Sequence, residues 1–258
     1  MAATALPLWG CAAVRNPDRR DQTTRAWSEA LASIERTAQG RLGVAMLDTG
    51  SGLALGWRQD ERFAMASTFK LVLAGWMLAL VDQGKERLDA RVHYAAADVV
   101  AYSPVSGPRA GDGGGLTVGE LCSATVSLSD NTAANVLLAR YGGPAGFTAF
   151  VRSLGDPITR LDRTEPTLTE AAVGDPRDTT TPLAMLQTLQ KLVLGNALSP
   201  RPGPGCRAGW RRPARATNGC VPVCRSGRWA TRRAPQAKAV RPTTLACCGR
   251  RTAARQCW

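Results

Sequence analysis

Ser67-Thr68-Phe69-Lys70 opens the uncharged run Leu71-Val72-Leu73-Ala74-Gly75-Trp76-Met77-Leu78-Ala79-Leu80-Val81, and the rest of the chain is organised around that junction. A run this apolar predicts a buried helix, ending at Gly84. A serine in its first turn lies near unpaired backbone N–H groups and the positive end of the helix dipole. Residues three apart share a helix face, so Lys70 projects beside Ser67. A lysine taken out of water loses its proton more readily and can then activate a neighbouring hydroxyl. The same four residues also fit a capping serine with a solvated lysine, so the pattern gains meaning only from its surroundings.

Those surroundings divide in two. The 258 residues carry a net charge of +13, yet residues 201–258 hold 13 Arg, 1 Lys and no acidic residue, which leaves residues 1–200 nearly neutral. Six of the eight cysteines also lie in that tail (Cys206, Cys220, Cys224, Cys247, Cys248, Cys257), so the body has no evident disulfide framework. The expected organisation is a terminal extension over 1–22, a globular body over 23–200 with an all-helical part at about 67–195, and a separate tail over 201–258. No stretch is long and apolar enough to span a bilayer. Ala2–Val14 resembles the end of a secretory signal peptide lacking its basic start, which points to a periplasmic or secreted protein. Leu8-Trp9-Gly10-Cys11 faintly resembles a lipoprotein cleavage site, with a lipid anchor at Cys11 as its consequence; a frayed terminus without a targeting role is the third reading.

Within the body, Thr23 or Thr24 caps a helix carrying Trp27, Leu31 and Ile34 as far as Gly40. Leu42–Leu47 and Leu53–Trp57 flank the turn residues Asp48–Gly52 and predict a hairpin. Val92–Tyr94 reads as a short strand, and Thr117-Val118-Gly119-Glu120 is a capping box opening a helix to Leu128. Helices follow at Ala133–Tyr141, at Phe147–Leu154 and, with Thr181 as cap and Pro182 in the first turn, up to Gly195. Arg160–Asp178 shows almost no periodicity and reads as a long ordered loop, a kind that usually carries function.

Three sites thus fall in order: Ser67-x-x-Lys70, Ser129-Asp130-Asn131, and Glu165-Pro166-Thr167-Leu168 in the loop. Over roughly residues 25–200 the chain resembles the class A serine β-lactamases, which share this motif set. The resemblance extends to Tyr102 in Tyr-Ser-Pro-Val and to the loop frame Leu161-Asp162-Arg163 … Gly174–Thr180. It implies an α+β fold, an antiparallel sheet flanked by helices with an all-helical part beside it, and hydrolysis of β-lactam antibiotics by a monomer without cofactor or metal. By the same resemblance Ser67 is the nucleophile, and Lys70 or Glu165 the base that activates it. Ser129 is the proton donor to the leaving nitrogen, and Glu165 the base for the releasing water. Asn131 and Tyr102 contact substrate, and Arg163 with Asp178 forms an ion pair pinning the loop ends. His93 is the chain's only histidine, which excludes an internal Ser-His-Asp triad.

The chain departs from the family in several places. Thr169 stands where the family has an Asn beside the hydrolytic water, and the family's common helix disulfide is absent because residue 74 is Ala. No Lys-Thr-Gly follows Ser129, although that motif supplies one wall of the family's active site. Read one nucleotide earlier, the codons permitted for Arg228–Pro235 allow Val-Gly-Asp-Lys-Thr-Gly-Thr, and those for Pro242–Arg250 allow an alternating strand. The tail after about Pro200 is therefore expected to be an out-of-frame translation, with three strands and the closing helix lost, the hairpin left uncovered and activity impaired. A basic tail that binds nucleic acid or anionic lipid is the rival, although no nucleic-acid partner is expected. A zinc site on Cys220-x-x-x-Cys224 and Cys247-Cys248 fits poorly. A domain acylated without turnover, or a penicillin-binding protein, is the alternative for the body.

Overall fold

A computed structural model describes residues 17–170 and 172–198. The signal-peptide, lipid-anchor, reading-frame and zinc expectations all fall outside those residues. The chain divides into two compact units, one ending at Gly40 and one beginning at Arg41. The first holds α1 (Pro17–Ala38), whose Trp27, Leu31 and Ile34 recur at helical spacing. The helix begins six residues before Thr23, because a proline at the first helical position has no N–H to satisfy. No described helix is long and apolar enough to cross a membrane.

The second unit is built around α2 (Phe69–Asp82), in which ten of fourteen residues are buried. A helix apolar on every side belongs in the middle of a core, and α3 (Val118–Leu128), α4 (Asn131–Arg140), α5 (Gly143–Ser153) and α6 (Pro182–Val193) all pack against it. Phe69 meets Phe147 edge-on at 6.1 Å, and Trp76 stacks on Phe150 at 5.8 Å. Gly75 faces Leu192, where a Cβ would come within 2.9 Å, so the absent side chain sets how closely α2 and α6 approach. The helix starts at 118, 131, 143 and 182 follow local signals: the Thr117/Glu120 capping box, Asp130 and Thr181 accepting from backbone N–H groups, and Pro144 in the first turn of α5.

The strands are short. β1 (Val44–Leu47) and β2 (Ala54–Trp57) form the expected antiparallel hairpin, with Val44 opposite Trp57. The hairpin is less bare than the sequence suggests: Val44, Ala45 and Leu55 are buried, and α6 packs against β1. Two further ladders form, and of their four strands the sequence announces only the one at Val92, which lies at Arg91–Val92 and not over Val92–Tyr94. β3 (Phe63–Ala64) pairs with β6 (Thr179–Thr180), and β4 (Arg91–Val92) pairs with β5 (Leu116–Thr117). Gly115 permits the second, since it has φ +58° and a Cβ there would fall 2.3 Å from the Val92 carbonyl oxygen.

Asp130 ties the helices to the loop at 105–106. It is fully buried, and its carboxylate accepts hydrogen bonds from the Ser106 hydroxyl and from the N–H groups of Ser106, Val105 and Ala133. Burial alone would raise its pKa; the Ser106 bonds and the other backbone donors outweigh that and hold it below the usual value of 3.8. The stability it contributes is therefore complete above pH 3.8 and is lost as pH falls through the lowered value. Asp130→Ala strands four donors, and a urea titration is expected to show a loss of about 3 kcal/mol. An unchanged midpoint would rule out this anchoring role.

Candidate active site

Ser67 lies in a 3₁₀ turn (Ala66–Thr68) that runs directly into α2, one step earlier than a simple helix N-terminus would place it. Ala66 takes the left-handed conformation, φ +42°, and the Met65 carbonyl accepts both the Thr68 hydroxyl and the Thr68 N–H. That sharp turn presents Ser67, while Met65 and Phe69 on either side are fully buried. Lys70 follows on the same face, its Nζ 3.3 Å from Ser67 Oγ.

Ser129 and Asn131 come from the junction of α3 and α4. Ser129 ends α3 at φ +55°, Asp130 caps α4, and Asn131 is the first residue of α4. This left-handed turn aims both side chains back toward α2. Ser129 Oγ donates to Ser67 Oγ at 2.8 Å, and Lys70 Nζ donates to Ser129 Oγ at 3.1 Å, to the Ser129 carbonyl at 2.9 Å and to Asn131 Oδ1 at 2.5 Å. Asn131 Nδ2 donates in turn to the Ala101 carbonyl. Tyr102 is held beside it by the bond from the Asn131 N–H to the Tyr102 carbonyl, with φ +63° and 65% of its surface exposed.

Glu165 arrives from the loop and is 3% exposed. Its Oε1 lies 2.9 Å from Lys70 Nζ as an ion pair; no donor is aligned on that oxygen for a hydrogen bond. Lys70, 2% exposed, thus faces five oxygens within 3.3 Å, although an ammonium has only three N–H groups. Burial pushes its pKa below 10.5, against the opposing pull of Glu165 and Asp130. From that lowered value up to 10.5 the folded chain binds fewer protons here than the unfolded one, so this group's contribution to stability rises with pH. The depressed value also makes a neutral amine, with a lone pair able to accept from Ser67, available at lower pH than in water.

The loop is pinned from several sides. Arg163 Nε lies 2.6 Å from Asp178 Oδ2, and Asp178 Oδ1 accepts the N–H groups of Asp162 and Arg163, closing the loop's two ends on each other. Leu168 is fully buried in the core three residues after Glu165, which anchors the short turn Thr167–Glu170 with about 2 kcal/mol of apolar burial. The hydroxyl of Thr169 donates to the Pro166 carbonyl at 2.7 Å. The Glu165–Pro166 peptide bond is cis.

Asn135 was not singled out in the sequence. It stands one helical turn after Asn131 on α4, donates from Nδ2 to the Glu165 carbonyl at 2.8 Å and accepts the Glu165 N–H at 3.0 Å on Oδ1. The available signal was the pair of asparagines four apart, which places both on the face already turned toward Lys70. Among the described residues no group of three or more His, Cys, Asp or Glu is arranged to hold a metal ion. The cluster brings together a hydroxyl beside a desolvated amine, a second hydroxyl bridging the two, and a buried carboxylate in ion-pair contact with the amine, a set of groups able to activate and protonate in turn.

Residues 26–204 match the model of the Beta-lactamase enzyme family. Among solved structures, an ancestral (GNCA) class A β-lactamase is 62% identical, with a TM-score of 0.65, over 67% of this chain and 66% of that one. The class A β-lactamase of the last common ancestor of Gram-negative bacteria (GNCA4) is 60% identical with a TM-score of 0.66, over 68% of this chain and 66% of that one. The protein PenP of Rhodopseudomonas palustris is 57% identical with a TM-score of 0.66, again over 68% and 66%. The chain thus spans just under two thirds of the length of these relatives.

Proposed function

The chain belongs to the class A β-lactamases, and from that premise we propose that it opens β-lactam rings through an acyl-enzyme on Ser67. The observation that carries this reading is the Lys70 cluster: one buried amine within 3.3 Å of both Ser67 Oγ and Ser129 Oγ and in ion-pair contact with Glu165. Ser67 Oγ attacks the lactam carbonyl and gives up its proton to the Lys70 amine or, by way of a water, to Glu165. As the carbon–nitrogen bond breaks, Ser129 Oγ passes a proton to the departing nitrogen and is reprotonated from Lys70, its hydrogen-bond partner. Glu165, having passed on to Lys70 any proton it took from Ser67, deprotonates a water that attacks the ester, and return of that proton to Ser67 Oγ releases the ring-opened acid. Asn131, tied to Lys70 and Ala101, offers its remaining amide N–H to the substrate, and Tyr102 lends an exposed ring beside it.

The test is the intact mass of the full chain after incubation with benzylpenicillin. One added drug mass, accompanied by loss of the β-lactam from solution, is expected. A chain that neither gains mass nor consumes drug would sink the reading. Adduct without consumption would favour the second reading, a domain that is acylated and holds the drug.

Turnover is proposed to be low, for two reasons. No Lys-Thr-Gly follows Ser129, and the Thr169 hydroxyl is committed to the Pro166 carbonyl, leaving no donor there for a water beside Glu165. Thr169→Asn supplies an amide that reaches further, and release of the adduct is expected to speed up by about ten-fold with adduct formation unchanged; equal release rates would remove Thr169 as a cause. The tail from about residue 201 is proposed to be read out of frame, in keeping with a family match that stops at residue 204. Sequencing the gene across codons 190–258 decides it: a single-base shift restoring Lys-Thr-Gly supports the proposal, and a confirmed frame turns attention to what a basic tail binds. Export to the periplasm goes with the family reading.

A further inference from the structure

Glu165 sits at the end of an extended arm, Thr159–Glu165, that belongs to no sheet among the described residues. Among the described residues one backbone bond, from the Arg160 N–H to the Thr179 carbonyl, joins the arm to a strand. Side chains hold it instead. Asp156 accepts the Thr159 N–H, Arg152 donates to the Thr159 carbonyl, and Asp178 accepts the N–H groups of Asp162 and Arg163. At two positions four residues apart a single side chain takes both the N–H and the carbonyl, as a neighbouring strand would. Asn135 does this for Glu165. Thr148 on α5 does it for Leu161, its one hydroxyl accepting the Leu161 N–H and donating to the Leu161 carbonyl, both at 3.0 Å.

We propose that Thr148 is a positioning residue for hydrolysis, a one-atom substitute for a paired strand that fixes the arm and thereby the reach of the Glu165 carboxylate. The surroundings of Thr148 leave little else to do this. It borders an open groove of about 550 Å³ between α5 (Pro144, Ala145, Ala149) and the arm (Arg160, Leu161, Asp162). On that side no strand among the described residues stands behind Leu161. Losing the hydroxyl leaves a partly buried N–H and carbonyl without partners, and the arm must shift to find others. Glu165 lies four residues along, and a displacement of about 1 Å there is enough to cost up to about a hundred-fold in a step that depends on placing a water. Ser67, Lys70 and Ser129 are held by the 3₁₀ turn at Ala66–Thr68, α2 and the α3–α4 junction and stay in place, so acylation is spared where Lys70 is its base.

The inference rests on Glu165 serving the releasing water. The test uses the full chain with Thr148→Val, which keeps the volume and removes both bonds, and Thr148→Ser, which keeps the hydroxyl. Rapid-quench mass spectrometry with benzylpenicillin reads adduct formation and decay separately, and amide hydrogen exchange over residues 160–166 is followed without drug. The Val variant is expected to form adduct at the unsubstituted rate, to hold it at least about ten-fold longer, and to exchange faster at Leu161 and Glu165. The Ser variant is expected to restore all three. Unchanged decay in the Val variant or failure of Ser to restore would overturn the proposal, as would formation falling in step with decay while Glu165→Gln leaves formation unchanged. Glu165→Gln measured alongside separates the two ideas. If it holds adduct and Thr148→Val does not, only the brace falls; if it releases like the unsubstituted chain, the reading of Glu165 falls. If no adduct forms at all, the Ser67 reading falls and the exchange rates alone decide the brace.

Discussion

Ser67→Ala is expected to leave the chain folded and without any β-lactam adduct, a loss on the order of 10³-fold or more in the rate of labelling. The hydroxyl that disappears is the proposed nucleophile, in contact with both Lys70 and Ser129. Lys70 keeps Asn131, the Ser129 carbonyl and Glu165 as partners, so the buried amine is not stranded and the core around Phe69 is untouched. Circular dichroism and urea midpoint should therefore match the unsubstituted chain while the mass shift vanishes. Persistent labelling of the alanine variant would mean that another hydroxyl, Ser129 being the nearest, is the attacking group.

Glu165→Gln is expected to act on the second half of the reaction. The amide cannot take a proton from water, so decay of the adduct should slow by about 10²–10⁴-fold. If the Lys70 amine is the base in the first half, the adduct forms at the unsubstituted rate and accumulates to one drug per chain. If Glu165 acts in both halves, formation slows as well, and the two outcomes separate the candidates for the first proton transfer. The substitution also removes the charge that Lys70 faces at 2.9 Å. Since the Glu165 pair favours the charged form of Lys70, its loss lowers the lysine pKa further and widens the pH range in which the neutral amine is present.

The helices were legible because their signals are local. The apolar run after Lys70, the Thr117/Glu120 box and Thr181-Pro182 each depend on residues within one turn, and the helices they open lie where those residues put them. The hairpin was legible for the same reason. Of the two-residue ladders only the strand at Val92 is signalled, as Val92–Tyr94; Phe63–Ala64, Leu116–Thr117 and Thr179–Thr180 are not, since two residues carry no period and the partners come together only when the core closes. α1 starts six residues before Thr23, since Pro17 opens the helix without a capping threonine.

By itself the sequence determined the chemistry on offer. It set a serine and a lysine three apart before an apolar helix, a second serine and an asparagine at a turn, an acid in an unpatterned loop, and an abrupt change of composition near residue 200. The tertiary structure alone decided that these groups meet, and at what electrostatic cost. Lys70 has a lowered pKa because α2 carries it into the core, away from water, an effect of burial that no spacing encodes. The backbone of the arm that carries Glu165 to it is taken up by side chains from separate places in the chain: Asn135 on α4, Thr148 on α5 and Asp178 at the far end of the loop. Hydrogen bonds between residues thirteen to thirty apart form between surfaces, and surfaces exist only once the chain has folded.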